Sequence, residues 1–161
     1  MKVVFLDIDG VLNSATWIHD AGARLGRRQV CGSADQIDPA CVERLNRITD
    51  ATGAVFVLSS AWRIVHCPTV AKANAFFSSV GVQAAFVGRT GNVGRWRGDQ
   101  IDSWLRRRGQ AVDCFIILDD ADDMTVHMHR LVQTSWQTGL QDADVELAIE
   151  MLRGGDQHLR R

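Results

Sequence analysis

The sequence predicts an α/β fold: a Rossmann-like, mostly parallel sheet with helices on both faces. Three observations predict it. Short β-rich apolar runs alternate with helical patterns along the chain, and the stretches between successive runs are long enough to be crossovers. Three of the runs end in chemically loaded residues: Asp7 and Asp9, Ser59 and Ser60, Asp119 and Asp120. Open parallel sheets bind ligands beyond the carboxyl ends of their strands, near the point where strand order reverses. With 161 residues, 46% of them hydrophobic and 23% charged, the chain has the size and composition of one globular core, which excludes disorder and coiled coil. Residues 1–153 are expected to form a single domain and 154–161 a disordered tail.

Lys2 to Asp7 reads as a buried strand, short, apolar and ended by polar residues and Gly10. Residues 14–37 have no clean period and are expected to form a long flap-like insertion. Asp38 then supplies an N-cap and Pro39 the first residue of a helix that carries Val42, Leu45 and Ile48 on one face and stops at Gly53. Ala54 to Leu58 is the next strand. Beyond the break at Pro68 a helix is expected over 69–80, closed by Gly81, and Ala84 to Val87 forms a third strand. Gly88 to Gly98 holds four glycines and three arginines and therefore reads as loop. It leads into an amphipathic helix with Ile101, Trp104 and Leu105 inward, ending before Gly109. Cys114 to Leu118 is the most apolar strand and runs directly into the acidic stretch from Asp119 to Asp123. Arg130 to Gln133 reads as an edge strand, and Asp142 to Leu152 as a last helix with Val145, Ile149 and Leu152 on one stripe.

A formal net charge of −1 gives no global basic field for duplex nucleic acid or an anionic membrane. No apolar run reaches the roughly 18 residues of a membrane span, so a cytoplasmic protein without membrane contact is expected. Cys31, Cys41, Cys67 and Cys114 lack C-x-x-C spacing and read as reduced structural thiols. His127 and His129 have no third ligand nearby and read as an exposed polar turn.

The chemistry is in the carboxylates. Asp7-x-Asp9-Gly10 sets two of them two residues apart where an extended chain begins to turn, so both can address one site. Asp119 and Asp120 beside them would gather several negative charges, which is costly unless a cation neutralises them. A small set of carboxylates favours Mg²⁺, which keeps waters and usually binds the substrate phosphate as well. The Ser59 hydroxyl and the N–H groups after it suit phosphate oxygens, with an arginine neutralising the remaining charge. Taken singly, each piece has a plainer reading as a solvated turn or polar loop; their common sheet edge is what joins them.

The string Val4-Phe5-Leu6-Asp7-Ile8-Asp9-Gly10-Val11-Leu12-Asn13 resembles the first motif of the haloacid dehalogenase (HAD) superfamily of phosphotransferases. Val55-Phe56-Val57-Leu58-Ser59 resembles its second motif and Ile116-Ile117-Leu118-Asp119-Asp120 its fourth. More narrowly, Leu58 to Arg63, Arg97 to Leu105, Leu118 to Met124 and Gly139-Leu140 resemble the HAD domain of the multidomain Swiss Army Knife RNA-repair proteins. The resemblance implies that Asp7 is the nucleophile, forming an aspartyl-phosphate, and that Asp9 is the acid/base. It also implies Mg²⁺ held by Asp7, the Asp9 carbonyl and Asp119, with Asp120 nearby. Ser59 and Arg97 complete the expected catalytic set, and Ser60, Arg63 and Gly10 the substrate-binding set. The family's third motif usually offers a lysine, yet Lys2 opens the first strand and Lys72 lies mid-helix. Arg97 is the expected substitute, with Arg63 as its rival. Residues 14–37 are too few for a folded cap, so an essentially capless, open site is expected.

The expected function is a Mg²⁺-dependent phosphomonoesterase. Arg24, Arg27 and Arg28, six arginines against two aspartates between Arg89 and Arg108, and Trp17, Trp62 and Trp96 outside helical core spacing make single-stranded nucleic-acid ends a candidate substrate. The plainer reading makes Arg106 to Arg108 a solvated helix end and Trp62 a core plug, leaving a small nucleotide or metabolite. A different class, a non-enzymatic phospho-acceptor or binding module such as a receiver domain, would carry its acceptor in a middle strand, whereas Asp7 ends the first.

Overall fold

The computed structural model describes residues 1–25, 31–108 and 111–154, with side chains from 21 to 25 left out of the description. Its strands are β1 (Lys2–Leu6), β2 (Val55–Leu58), β3 (Phe86–Arg89), β4 (Cys114–Asp119) and β5 (Leu131–Gln133). Its helices are α1 (Ala15–Leu25), α2 (Pro39–Thr52), α3 (Trp62–Val65), α4 (Val70–Ser79), α5 (Arg97–Arg108) and α6 (Asp142–Gly154), with 3₁₀ turns at Ala34–Gln36 and Thr125–Arg130. The strands form one parallel sheet in the order β3-β2-β1-β4-β5, the Rossmann-like α/β architecture that the sequence predicts.

β1 sits in the middle, buried on both faces, which is why its sequence is continuously apolar rather than alternating. Its pleat divides the core. Val4 and Leu6 pack with Leu45 and Ile48 of α2, Phe77 of α4 and Val145 and Leu152 of α6. Val3 and Phe5 face the other way, against Ile101 and Trp104 of α5, with the Phe5 and Trp104 rings edge to face at 5.4 Å.

After β1 the chain builds outward to β2 and β3 and then crosses back to β4, so the strand order reverses between β1 and β4. Register does the rest. Leu6 pairs with both Leu58 and Leu118, so the next residues, Asp7, Ser59 and Asp119, emerge side by side. Asp7 N–H donates to the Leu118 carbonyl at 2.9 Å and Ser59 N–H to the Leu6 carbonyl at 2.8 Å, extending both ladders into the site.

Several elements differ from expectation. The 14–37 connection contains an 11-residue helix, α1, started by Ser14 Oγ accepting from Trp17 N–H at 3.1 Å. The one-turn α3 is too short to leave a period in the sequence. β3 begins at Phe86 rather than at Ala84, because Asn74 of α4 binds both the N–H and the carbonyl of Phe86 at 2.9 Å. His127 and His129 lie in a 3₁₀ turn, and His127 is half-buried, edge-on to Phe115 and 3.6 Å from Asp102, so it is no exposed turn residue. Gly154, expected in the tail, is helical; residues 155–161, Gly109, Arg27 and Arg28 lie outside the described residues. Cys41, Cys67 and Cys114 are buried free thiols and Cys31 an exposed one. No described helix is long and apolar enough to cross a membrane.

Candidate active site

Asp7, Asp119 and Asp120 each offer one carboxylate oxygen within 4.8 Å of the others. Asp7 and Asp119 are almost fully buried, so water screens their repulsion poorly. Burial pushes the Asp7 carboxyl up to about 6, against the pull of Arg97 and a hydrogen bond from the Ser60 hydroxyl. Burial, and then the neighbouring Asp7 charge, push Asp119 up to about 7. Arg97 bridges the two, its Nη1 3.7 Å from Asp7 Oδ1 and its Nε 3.5 Å from Asp119 Oδ2. Two arginines competed for this position in the sequence, and Arg97 is the one whose side chain reaches it.

Arg97 is held there by the first turn of α5. Its N–H donates to Asp123 Oδ2 at 3.1 Å, and the next residue, Gly98, lies so close to the β4 loop that a Cβ would come within 2.1 Å of the Met124 carbonyl. Arg63 sits elsewhere. It is buried, and its guanidinium donates to the Ser60 carbonyl at 2.6 Å, the Gly91 carbonyl at 3.4 Å, Asn92 Oδ1 at 3.0 Å and Gln100 Oε1 at 2.8 Å. These bonds tie α3 to the glycine loop and α5. Ser60 is also engaged, its Oγ accepting from Trp62 N–H at 3.3 Å as well as facing Asp7.

Among the described residues, Ser59 Oγ, Thr90 Oγ1, Arg97 Nη1 and Asp119 Oδ2 are buried without a hydrogen-bond partner. Native structures leave few such atoms, and each calls for a partner such as a bound ligand or ion. Asp119 Oδ2, ion-paired with Arg97 but without a hydrogen bond, lies among three converging carboxylates, a donor set that fits a hard divalent cation such as Mg²⁺. Thr90 had no signal beyond its place after a strand, whereas Asp123 lay in the acidic stretch that the resemblance covers but was given no role of its own.

Gly10 fits because nothing larger can. Its φ is +79°, and a Cβ there would lie 2.5 Å from Asp120 Cγ. Gly10→Ala should cost about 1–2 kcal/mol for the left-handed backbone alone and also weaken Mg²⁺ binding by displacing Asp120. Denaturant melts and a Mg²⁺ titration would check both; unchanged Mg²⁺ affinity would remove Asp120 from the cation site.

The Asp9 side chain is not one of the three converging carboxylates. Its Oδ1 accepts from Asn13 Nδ2 at 2.8 Å, and both its oxygens accept from the Trp62 indole N–H, at 3.2 and 3.1 Å. Trp62 is therefore buried against Asp9 rather than available for stacking, and Trp17 is half-buried with its indole on the Asp35 carbonyl. Trp96 alone of the three is exposed, with the Arg95 guanidinium 4.7 Å from its ring.

A parallel sheet whose switch point carries two buried acidic strand ends, a serine on the neighbouring strand and a bridging arginine matches what the sequence leads one to expect of a HAD-type hydrolase. The chain belongs to the family described as the HAD domain in Swiss Army Knife RNA repair proteins, which it matches over residues 3–145. Among solved structures it is similar to a haloacid dehalogenase-like family hydrolase from Streptococcus pneumoniae, with 16% identity, a TM-score of 0.48, and 91% of this chain and 90% of that chain covered. No curated protein sequence matches.

Proposed function

We propose that this hydrolase is a Mg²⁺-dependent phosphomonoesterase acting through an aspartyl-phosphate on Asp7. One observation carries the reading: the buried carboxylates of Asp7 and Asp119 and the half-buried one of Asp120 converge with the Arg97 guanidinium, an excess of negative over positive charge that a divalent cation would balance. Asp7, Asp119 and Asp120 would hold Mg²⁺, which when bound screens the repulsion between carboxylate and phosphate. Arg97 and the Ser59 hydroxyl take phosphate oxygens. Asp7 Oδ forms its bond to phosphorus as the ester P–O bond breaks, and Asp9 gives its proton to the departing oxygen. Water then attacks the acyl phosphate, Asp9 accepts its proton, and inorganic phosphate leaves with Asp7 restored. Hydrolysis of 4-nitrophenyl phosphate tests this: activity in Mg²⁺, loss in EDTA and recovery on adding Mg²⁺ back are expected. Turnover indifferent to EDTA would refute it.

For the substrate, the exposed Arg95–Trp96 pair beside Arg97 favours a single-stranded nucleic-acid end, and the description of the matched family leans the same way. Stacking on one base is worth roughly 1–3 kcal/mol, so Trp96→Ala should lower kcat/KM for a 3′- or 5′-phosphorylated oligonucleotide about tenfold and spare 4-nitrophenyl phosphate. Log kcat/KM for the oligonucleotide should also fall with log salt at roughly −0.7 per phosphate contact. Equal salt slopes for oligonucleotide and mononucleotide would point to a small-molecule phosphatase.

A further inference from the structure

The carboxylate to which the proposed reaction assigns both proton transfers is held by a group that cannot take part in them. Asp9 lies two residues beyond Asp7, on the turn that leaves β1, yet its side chain stands apart from the three converging carboxylates. Two neighbours keep it there. Asn13 cannot swing, since its Oδ1 accepts from Gly10 N–H at 3.0 Å while its Nδ2 donates to Asp9 Oδ1. Trp62 cannot swing either. Its indole is 3% exposed and packed at ring-centroid distances of 5.0 Å from His66, 5.6 Å from Phe76 and 6.4 Å from Phe77. Its N–H is shared between both Asp9 oxygens.

We propose that Trp62 is a positioning residue for Asp9: its core-locked indole N–H aims the carboxyl at the leaving oxygen and, afterwards, at the attacking water. The inference rests on the phosphomonoesterase reading. The choice of side chain follows from proton chemistry. An indole N–H donates and neither accepts nor titrates, so it fixes the carboxyl in both its protonated and ionised forms without competing for the proton. A histidine or lysine in the same place would compete. The sharing of one N–H between two oxygens also leaves lone pairs on each oxygen for the reacting groups. The ring, held by aromatic neighbours on α4, transfers the rigidity of the core to a carboxyl on a loop, which is how a general acid is kept within the narrow geometry it needs.

Trp62→Phe keeps an aromatic ring in the cluster and removes the N–H together with the pyrrole part of the indole. The signature is a dependence on the leaving group, which loose packing would not produce. 4-Nitrophenolate departs without much protonation, whereas an alkoxide needs the proton. For an alkyl phosphate kcat should fall about 30-fold with KM changed less than 3-fold. For 4-nitrophenyl phosphate the first turnover should stay near the wild-type rate and the steady state slow down, giving a burst. A second readout does not need turnover: of the five indole N–H resonances in a ¹H–¹⁵N spectrum, the one lost in Trp62→Phe should move in Asp9→Asn and stay in place in Trp17→Phe. Equal loss for both phosphates, or an indole resonance blind to Asp9→Asn, would overturn the assignment. If wild-type protein fails to turn over any phosphomonoester, the phosphatase reading falls, and the positioning role falls with it even if the resonance shifts.

Discussion

Replacing Asp7 by asparagine is expected to abolish phosphatase turnover, a loss on the order of 10⁴-fold or more, as when a covalent nucleophile is removed. The amide keeps the shape but has neither the nucleophilic oxygen nor the charge that holds the cation. The fold should not suffer. Asp7 is tied to β4 by its backbone N–H, and its carboxyl already pays for burial with a value pushed up to about 6. Its melting temperature in EDTA should therefore equal or exceed that of the wild type. Asp9→Asn gives the contrasting result: a burst of 4-nitrophenolate close to one per active site, then near-arrest, because phosphorylation of Asp7 proceeds while water lacks its base. Quenched-flow and acid-trapping of the phosphoprotein would separate the two. Appreciable steady turnover in Asp7→Asn would sink the covalent mechanism.

Which parts of this site were legible in the sequence follows from how local each signal is. Asp7, Asp119 and Ser59 could be found because each directly continues an apolar strand, and in a parallel sheet the ends of paired strands meet whatever the rest of the chain does. The caps of α2 were legible for the same reason: Asp38 accepts from Ala40 N–H and Gly53 adopts φ +68° within a few residues of their helix. α1 was missed although its apolar residues gather on one face, because it follows directly on the turn after β1 and its interior Gly22 reads as a loop residue, and α3 because four residues hold no period. The side-chain directions were not local at all. Arg63 and Arg97 both neighbour the site in sequence logic, but only the tertiary packing of α5 against the β4 loop decides which guanidinium faces the carboxylates. Trp62 read as a candidate stacking ring because it lies off helical spacing, whereas the aromatic cluster of α4 that buries it is assembled from residues 14 and 15 positions later. A motif names the chemistry; the core aims it.

Asp119→Asn is expected to make the cation-free protein more stable at neutral pH, with the sign fixed by the carboxyl values. Asp119 sits at about 7 and Asp7 at about 6 in the folded chain, against 3.8 for an ordinary aspartate. Between about pH 4 and 7 the folded state therefore binds more protons than the unfolded state. Stability from this pair is then fully present below the ordinary value and is lost as pH rises through 6 and 7. At 1.36 kcal/mol per unit the Asp119 shift alone corresponds to a loss on the order of 4 kcal/mol. Asparagine mimics the protonated acid, so the variant should match the wild type near pH 4 and exceed it near pH 7.5 in EDTA. His127, whose value burial lowers, works in the opposite direction as pH falls below 6.5, but it is common to both proteins and drops out of the difference. Saturating Mg²⁺ should reverse the ranking, raising the wild-type melting temperature by ligand linkage and leaving the variant nearly unmoved. Denaturant melts of both proteins at pH 4, 6 and 7.5, each with EDTA and with Mg²⁺, read all of this. A variant destabilised equally at every pH would instead give Asp119 a structural role, and would remove it from the cation site.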